Sequence, residues 1–294
     1  MKAKLLDVTL EDYHADRVGL KVPTLNYSTA KTIHNKSALH AWLESPKGGG
    51  QGKQGSKQMD FSQIVHATLL SKGNKAQICD FKDWRTDKSK EAKEAAYAAG
   101  LIPLLPKEYD HVMAAATAIT VQLSSLGVTL EGASEQAMVW ERDGVACRGC
   151  MDLWQPGLIT EFKMTELPLT NHSLKRLVRN MGYDIQAATY SEGIHMVTGE
   201  MPRFRWIFAE MKEPYEVVVA TPTDMRLQIG MRKWEKALTT WKACLESGIW
   251  EGYAKEQEID VDMWELREFE LSVYPETEVI GEVYAEPSDD PMWF

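Results

Sequence analysis

The sequence lacks the long apolar segment that a membrane span requires. None of its apolar runs approaches the roughly 18–20 residues that cross a bilayer. The first 17 residues carry too many charges for a secretory signal peptide. Four cysteines among 294 residues are too few for a disulfide framework. We therefore expect a soluble protein of a reducing, cytoplasmic compartment with no membrane partner.

The composition also excludes wholesale disorder. Hydrophobic residues make up 44% of the chain and aromatic residues 9%, which is enough to bury a sizeable core. The length corresponds to one large domain, or to one domain with a tail. No repeat of fixed period is present.

Acidic charge is concentrated at the C-terminal end. The net charge of the chain is -10, yet residues 251–294 contain 14 acidic and two basic residues, so the first 250 residues carry +2. We expect a folded body over residues 1–253 and an acidic, partly disordered tail over residues 254–294. Within the body, the Gly-rich basic stretch 47–57 predicts a flexible loop. The overall acidity does not exclude a nucleic-acid substrate, because the body can carry local basic patches.

The hydrophobic pattern predicts an α/β fold with a mixed sheet. Helices are expected over residues 28–44 (with Ser28 as N-cap), 61–70, 89–99, 106–126, 173–197 and 223–246. Strands are expected over residues 133–142, 145–154, 158–164, 203–210 and 215–221, the first two joined by a tight Asp143-Gly144 turn.

Three residues of the central strands form a chemically suggestive set. Asp152 lies at the end of one predicted strand, and Glu161 and Lys163 alternate along the next, so that both point to one face. Carboxylate oxygens are the ligands that Mg²⁺ prefers, and a neighbouring lysine can orient an attacking water, as metal-assisted phosphodiester hydrolysis requires. An ordinary surface Lys–Glu pair would give the same pattern.

Further polar residues lie on the flanking helices. A basic cluster of Lys175, Arg176 and Arg179 suits phosphate groups, although a solvated helix face would have the same composition. Gln186 and Tyr190 share one helix face, as they would in any amphipathic helix. His66 lies on the helix over 61–70, where a single histidine is more often structural than a ligand.

Taken in order, these residues resemble a known family. His66, Arg85-Thr86, Glu135, Asp152, Glu161-Phe162-Lys163, Gln186-x-x-x-Tyr190 and Trp250-Glu-Gly-Tyr253 resemble the RecE-type exodeoxyribonuclease VIII domain of the PD-(D/E)XK nuclease superfamily, which includes lambda exonuclease and RecB-like nucleases. The similarity covers residues 28–253. It implies a PD-(D/E)XK fold with a central mixed sheet flanked by helices.

The resemblance implies a role for each matching position. Metal ligands would be Asp152, Glu161, His66 and the backbone carbonyl of Phe162. Catalytic positions would be Lys163, Glu135 (a ligand of a second metal or of its water), and Gln186 with Tyr190 beside the substrate end. DNA-binding positions would be Arg85, Lys88 and Lys90, alongside the cluster Lys175, Arg176 and Arg179; the first three could equally be a solvated helix start.

Two departures from the family pattern affect local backbone rather than ligands. Met151 precedes Asp152 where the family usually has proline. Ser62 stands four residues before His66, where a glycine is usual.

The implied activity is Mg²⁺-dependent digestion of linear double-stranded DNA, with Mn²⁺ as a substitute and one or two ions per site. The family digests from 5′ to 3′ and leaves a 3′ single strand for an annealing protein. It forms homo-oligomeric rings, and its members are phage or prophage proteins in the bacterial cytoplasm. Two alternatives stay open: a structure- or sequence-specific endonuclease, and a catalytically silent DNA-binding or inhibitory protein on the same fold.

Two features lie outside this pattern. Cys147 and Cys150 form a C-x-x-C pair, but the sequence has no second such pair to complete the four ligands of a structural zinc site. We therefore expect both cysteines to fill small, inward-facing positions on a strand. The C-terminal tip, with Asp289, Asp290, Trp293 and Phe294, resembles the acidic tip of bacterial single-stranded-DNA-binding proteins. It is interpreted as a docking site for a recombination partner, as an inhibitory segment acting on the basic DNA groove, or as a solubilising tail.

Overall fold

The structure, a computed structural model, describes residues 1–48, 50 and 57–256, except for the side chains of residues 57 and 58. A compact unit comprises Met1–Gly252, and residues 253–294 form a second unit. Most of the predicted Gly-rich loop and nearly all of the predicted tail therefore lie outside the described residues.

In chain order, the elements of the first unit are β1 (Lys4–Leu6), α1 (Leu10–His14), α2 (Tyr27–Asn35), α3 (Ala38–Glu44), a 3₁₀ turn (Pro46–Gly48), α4 (Lys57–Leu70), β2 (Ala76–Ile78), α5 (Asp87–Ala98), β3 (Ile102–Leu104), α6 (Pro106–Ser125), β4 (Ala133–Arg142), β5 (Val145–Gln155), β6 (Leu158–Thr165), α7 (Asn171–Met181), α8 (Tyr183–Thr198), β7 (Arg203–Glu210), β8 (Val217–Ala220) and α9 (Asp224–Ser247).

A six-stranded mixed sheet organises the unit. Its strand order is β1-β4-β5-β6-β7-β8, and β6 with β7 is its parallel pair; the other neighbours are antiparallel. Helices α7 and α8 make the crossover between the two parallel strands, as a parallel pair requires. A small parallel pair, β2 with β3, lies outside this sheet.

Apolar side chains cover both faces of the sheet. On one face, β4–β7 pack against α2, α3, α7, α8 and α9 around the fully buried rings of Trp140, Trp234 and Trp241. On the other face, Phe162 and Ile207 pack against α4, α6 and β3. The result is a three-layer α/β/α arrangement, in agreement with the predicted fold class.

The predicted helix over residues 28–44 is two helices. α2 begins after Asn26, whose side chain caps the N–H of Thr29, so Ser28 is not its N-cap. The helix ends at Asn35, and Ser37 caps α3 by accepting from the N–H of His40. Serine is a strong N-cap residue, and here it starts a new helix.

The predicted helix over residues 173–197 is also two helices. Gly182 ends α7 in the left-handed conformation, with φ of +66°. A left-handed residue terminates a helix at little cost only when it is glycine. α8 starts at the next residue, so its first turn lies directly beside the end of α7.

The central hairpin agrees with the prediction. Asp143 and Gly144 both have positive φ, as the two-residue turn of a tight hairpin requires. The short strands β1, β2 and β3 were not predicted. Within the described ranges, no helix combines the length and the apolar character needed to cross a membrane.

Candidate active site

The site lies where β5 and β6 separate. Their ladder pairs Gln155 with Leu158, Trp154 with Ile159 and Leu153 with Thr160, and then stops. Asp152 and Glu161 occupy the next position of the same register. Their side chains replace the missing main-chain bonds. The Asp152 N–H donates to Glu161 Oε1 at 3.0 Å, and the Phe162 N–H donates to Asp152 Oδ2 at 2.8 Å. Both carboxylates therefore lie in the opening between the two strands.

The groups that reach this opening come from opposite sides of the sheet. Glu161 Oε2 accepts from Lys163 Nζ and from Gln186 Nε2 of α8, both at 2.8 Å. Asp152 alternates with the core residue Met151, and its Oδ1 lies 3.4 Å from Nε2 of His66 on α4. Lys163 Nζ also lies 3.5 Å from Asp152 Oδ2 and so connects the two carboxylates. The structure thus brings together residues that the sequence pattern singled out.

Burial and the close spacing of charges control protonation here. Burial and the negative charge of Asp152 raise the pKa of Glu161 to about 7. Burial alone would also raise the pKa of Asp152, but the Lys163 ammonium and His66 hold it well below its usual range. The pKa of Lys163 is raised because its two carboxylate partners outweigh the effect of burial. Near neutral pH Asp152 is therefore ionised, Lys163 is protonated, and Glu161 is partly protonated.

The donor atoms fit a hard divalent cation. His66 is mostly buried, and its Nε2 has no hydrogen-bond partner, since Asp152 Oδ1 at 3.4 Å is an ion-pair neighbour without hydrogen-bond geometry. The Phe162 N–H points at Asp152, and the carbonyl of a strand residue lies on the same edge as its N–H, so this carbonyl faces the opening too. Carboxylate and carbonyl oxygens with an imidazole nitrogen suit Mg²⁺ or Mn²⁺. Among the described residues no three His, Cys, Asp or Glu side chains already converge as a metal cluster. The Lys163 ammonium bonds the same oxygens that a metal cation would use.

Glu135 lies on β4, opposite Asp152 of the neighbouring strand β5. The pairs Ser134–Leu153 and Gln136–Met151 bracket these two residues in register. Glu135 has φ of +50°, which is unusual for a non-glycine residue in a strand, and it is buried. Burial raises the pKa of Glu135, while the nearby His66 and Lys72 lower it. The geometry therefore places a further acidic group of the sequence pattern beside His66 and Asp152.

Tyr190 lies deeper than the other predicted positions. Its side chain is buried in the core, edge-on to Tyr27 with ring centroids 5.7 Å apart, one helical turn beyond Gln186. Two tyrosines that were not predicted lie nearer the lysine. The Tyr183 ring centroid is 5.4 Å from Lys163 Nζ, and Tyr27 is close enough for its phenol to sense the lysine charge. Tyr183 directly follows Gly182, so the glycine that breaks the helix just before the Gln-x-x-x-Tyr pattern could have indicated that Tyr183 lies near the site.

The predicted DNA-binding residues lie in two places. Arg85, Lys88 and Lys90 lie at the exposed start of α5, where Arg85 is 3.9 Å from Asp83 and Lys90 is 3.5 Å from Asp87. None of these contacts reaches the carboxylate opening. Lys175, Arg176 and Arg179 are exposed on α7, a helix without any acidic residue. α7 ends at Met181 and is followed by Gly182 and Tyr183, so this basic helix is directly connected to the site.

The cysteine pair does not form a metal site. Cys147 is buried in the core, Cys150 alternates to the other side of β5, and both are free thiols. A pair on opposite sides of one strand cannot hold one metal ion together. Asp289, Asp290, Trp293 and Phe294 of the C-terminal tip lie outside the described residues.

The PD-(D/E)XK nuclease class is defined by a mixed sheet that carries two carboxylates and a lysine where two central strands separate. The fold described above belongs to this class. The family comparison agrees: the chain belongs to the PDDEXK-like domain family of unknown function DUF3799, whose model matches residues 28–260. No curated protein matches the chain.

Solved structures share this fold. A candidate exonuclease from Eubacterium rectale is similar with a TM-score of 0.61 and 16% identity, covering 89% of this chain and 98% of that chain. A phage-related exonuclease from Haemophilus somnus 129PT aligns with a TM-score of 0.33 and 12% identity, over 75% of this chain and 95% of that chain. At such identities the first comparison supports the fold, and the second adds no argument.

Proposed function

We propose that this chain is a Mg²⁺-dependent nuclease that digests linear double-stranded DNA from its ends. The observation that carries the proposal is the convergence of Asp152, Glu161 and Lys163 in the β5–β6 opening, with His66 Nε2 3.4 Å from Asp152 Oδ1. A PD-(D/E)XK family match over residues 28–260 supports the nuclease class.

Each group of the site has a part in this chemistry. Asp152, Glu161, His66 and the Phe162 carbonyl would hold one or two Mg²⁺ ions, with Mn²⁺ as a substitute. When bound, the metal supplies an activated water and stabilises the charge that develops on the scissile phosphate. Lys163 stays protonated between the carboxylates, so its N–H groups can orient the attacking water and donate to a phosphate oxygen. Gln186 holds the Glu161 carboxylate in place from α8.

The surface beside the opening suits a DNA backbone. α7 contributes three exposed cations and no carboxylate, and α2 contributes Lys31 and no carboxylate. The Lys31 side chain lies against Gly182 at the junction of α7 and α8. In this proposal these cations bind phosphates adjacent to the scissile one.

The finer properties follow from the RecE-type resemblance. They are 5′-to-3′ polarity, a 3′ single-stranded product passed to an annealing protein, a homo-oligomeric ring and a phage or prophage origin in the bacterial cytoplasm. In this proposal the acidic C-terminal tip contacts the recombination partner. A sequence- or structure-specific endonuclease and a silent DNA-binding protein are the competing functions.

Digestion of end-labelled linear duplex beside covalently closed circular DNA tests the proposal. The reactions contain Mg²⁺ or EDTA, with wild type and Lys163→Ala. Mg²⁺-dependent loss of only the linear DNA, abolished by the substitution, is expected, and the labelled end gives the polarity. Cutting of the circle would indicate an endonuclease. DNA binding without cleavage would indicate the silent alternative.

A further inference from the structure

Glu135 is held by a turn that follows the histidine-bearing helix. After α4 ends at Leu70, Ser71 and Gly73 adopt φ of +55° and +119°. Three side-chain bonds fix this turn. Ser134 Oγ donates to the Leu70 carbonyl and Lys72 Nζ donates to the Ser134 carbonyl, both at 2.9 Å, and Asn74 Nδ2 donates to Gln63 Oε1 at 2.9 Å. The turn is therefore tied both to β4 beside Glu135 and to α4 beside His66.

Gly73 lies between these two elements. A Cβ placed on Gly73 would lie 2.7 Å from Glu135 Oε1 and 3.3 Å from the Cβ of Ala67, the neighbour of His66. Heavy atoms do not approach to 2.7 Å without a hydrogen bond, so one of them must move. The carboxylate is the free end of a flexible side chain, whereas Ala67 belongs to a packed helix. The carboxylate would move first.

We infer that Gly73 is a positioning residue that leaves the space in which the Glu135 carboxylate faces His66 and Asp152. The unusual backbone of Glu135 supports the assignment, because strain of this kind persists only where surrounding structure imposes it. The inference rests on the proposed function and on the role that the family resemblance implies for Glu135, as a ligand of a second metal or of its water. It adds that the α4–β2 turn sets the position of that carboxylate.

The test compares Gly73→Ala with Gly100→Ala in the full-length protein. Gly100 also has positive φ, +72°, but a Cβ there meets nothing within 4 Å, so this variant controls for an alanine at a left-handed glycine in open space. Strain specific to the φ of +119° at Gly73 is separated by the double substitution below. We expect Gly73→Ala to lower Mg²⁺-dependent cleavage and Mn²⁺ affinity roughly 10- to 100-fold, the range for supporting residues of a metal site. Gly100→Ala should match wild type in both measurements.

A double substitution separates positioning from general damage. Glu135→Gln should lower cleavage by itself, and Gly73→Ala added to it should cause no further loss, because the carboxylate that Gly73 positions is already gone. Additive losses, or equal behaviour of Gly73→Ala and Gly100→Ala, would overturn the inference.

The test of Gly73 can be distinguished from the test of the proposed function, because it also measures Mn²⁺ binding. If wild type cuts no DNA, the proposed function fails, and calorimetric titration with Mn²⁺ still decides the role of Gly73. Equal Mn²⁺ binding by wild type and Gly73→Ala overturns the inference, including the case in which neither binds the metal.

Discussion

Asp152 and Glu161 each accept a backbone N–H from the other's strand, at 2.8 and 3.0 Å. The strand ladder has already stopped at Leu153 and Thr160, so these two carboxylates satisfy main-chain donors that the sheet no longer pairs. Unpaired buried donors would each cost about 1–3 kcal/mol. The residues proposed to bind metal therefore also complete the fold at the strand opening.

Because Asp152 is proposed to bind metal and also accepts a main-chain N–H, two substitutions of this residue should give different results. Asp152→Asn keeps an oxygen that can accept from the Phe162 N–H but loses the negative charge that pairs with Lys163. We expect it to be less stable than wild type at neutral pH, with cleavage reduced at least about 100-fold. Asp152→Leu removes the acceptor, and we expect a further loss of about 1–3 kcal/mol in unfolding free energy. Urea unfolding and cleavage assays of the same preparations make the comparison. Equal stability of the two variants would contradict the inference that the Asp152 side chain also completes the fold at the strand opening.

The protonation of Glu161 predicts how stability depends on pH in EDTA. Its pKa rises from 4.5 in the unfolded chain to about 7 in the fold, so the folded state holds a proton that the unfolded state loses between these values. This contribution is fully present below pH 4.5 and disappears as pH rises through 7, a loss of about 3 kcal/mol. The pKa of His66 is also raised, and its contribution falls in the same direction as pH rises.

Glu161→Gln isolates the Glu161 contribution. We expect this variant to show a flatter pH dependence of stability between pH 5 and 7 than wild type. Differential scanning calorimetry across this range gives the slope. A slope that survives the substitution would assign the pH dependence to other groups.

Lys163 predicts a link between metal and stability. Lys163→Met leaves Asp152 and Glu161 buried without their cation, which costs about 3–5 kcal/mol for a broken buried ion pair. A divalent cation restores positive charge at the same oxygens. We therefore expect Mg²⁺ to raise the melting temperature of Lys163→Met more than that of wild type.

Lys212→Met is the matched control for this comparison. Lys212 pairs with Glu166 at 3.1 Å, but its side chain is 75% exposed, so its loss should change stability by less than about 1 kcal/mol. Its response to Mg²⁺ should equal that of wild type. If Mg²⁺ stabilises all three proteins equally, the cation binds elsewhere.

The basic face of α7 predicts the salt dependence of DNA binding. Replacement of Lys175, Arg176 and Arg179 by glutamine should lower the slope of log affinity against log salt by up to about 2–3, roughly 0.9 for each phosphate that the protein no longer neutralises. Fluorescence anisotropy with labelled duplex in Ca²⁺ or EDTA measures the slope without cleavage. Lys242→Gln, an exposed cation on α9, should leave it unchanged. A triple variant with the wild-type slope would remove α7 from the DNA path.

Local patterns were sufficient for the central part of the fold. Strand alternation and the Asp143-Gly144 turn predicted the β4–β5 hairpin, and the spacing of Glu161 and Lys163 predicted their shared side of β6. The two helix breaks were missed although Ser37 and Gly182 are standard signals for them, because the apolar periodicity continued across both. Three-residue strands such as β1 carry too little periodicity and depend on a partner more than 130 residues away.

Tertiary contacts determine the rest of the site. That Asp152 and Glu161 meet in the strand opening, and that His66 arrives from the opposite side to Gln186, depends on how the helices pack on the sheet. The same holds for Tyr183 beside Lys163, and for Glu135, whose left-handed backbone no strand pattern predicts. The catalytic and metal-binding assignments themselves stay predictions until the variants are measured.

The early end of the β5–β6 ladder also restricts how this fold could change over evolutionary time. A descendant that lost catalysis would be free to discard the charges at positions 152 and 161, but its backbone N–H groups would still need acceptors there. Asparagine, glutamine or serine could take over that task, and leucine or valine could not. Decayed copies of such a domain should therefore keep polar side chains at both positions, as a trace of the strand opening they inherited.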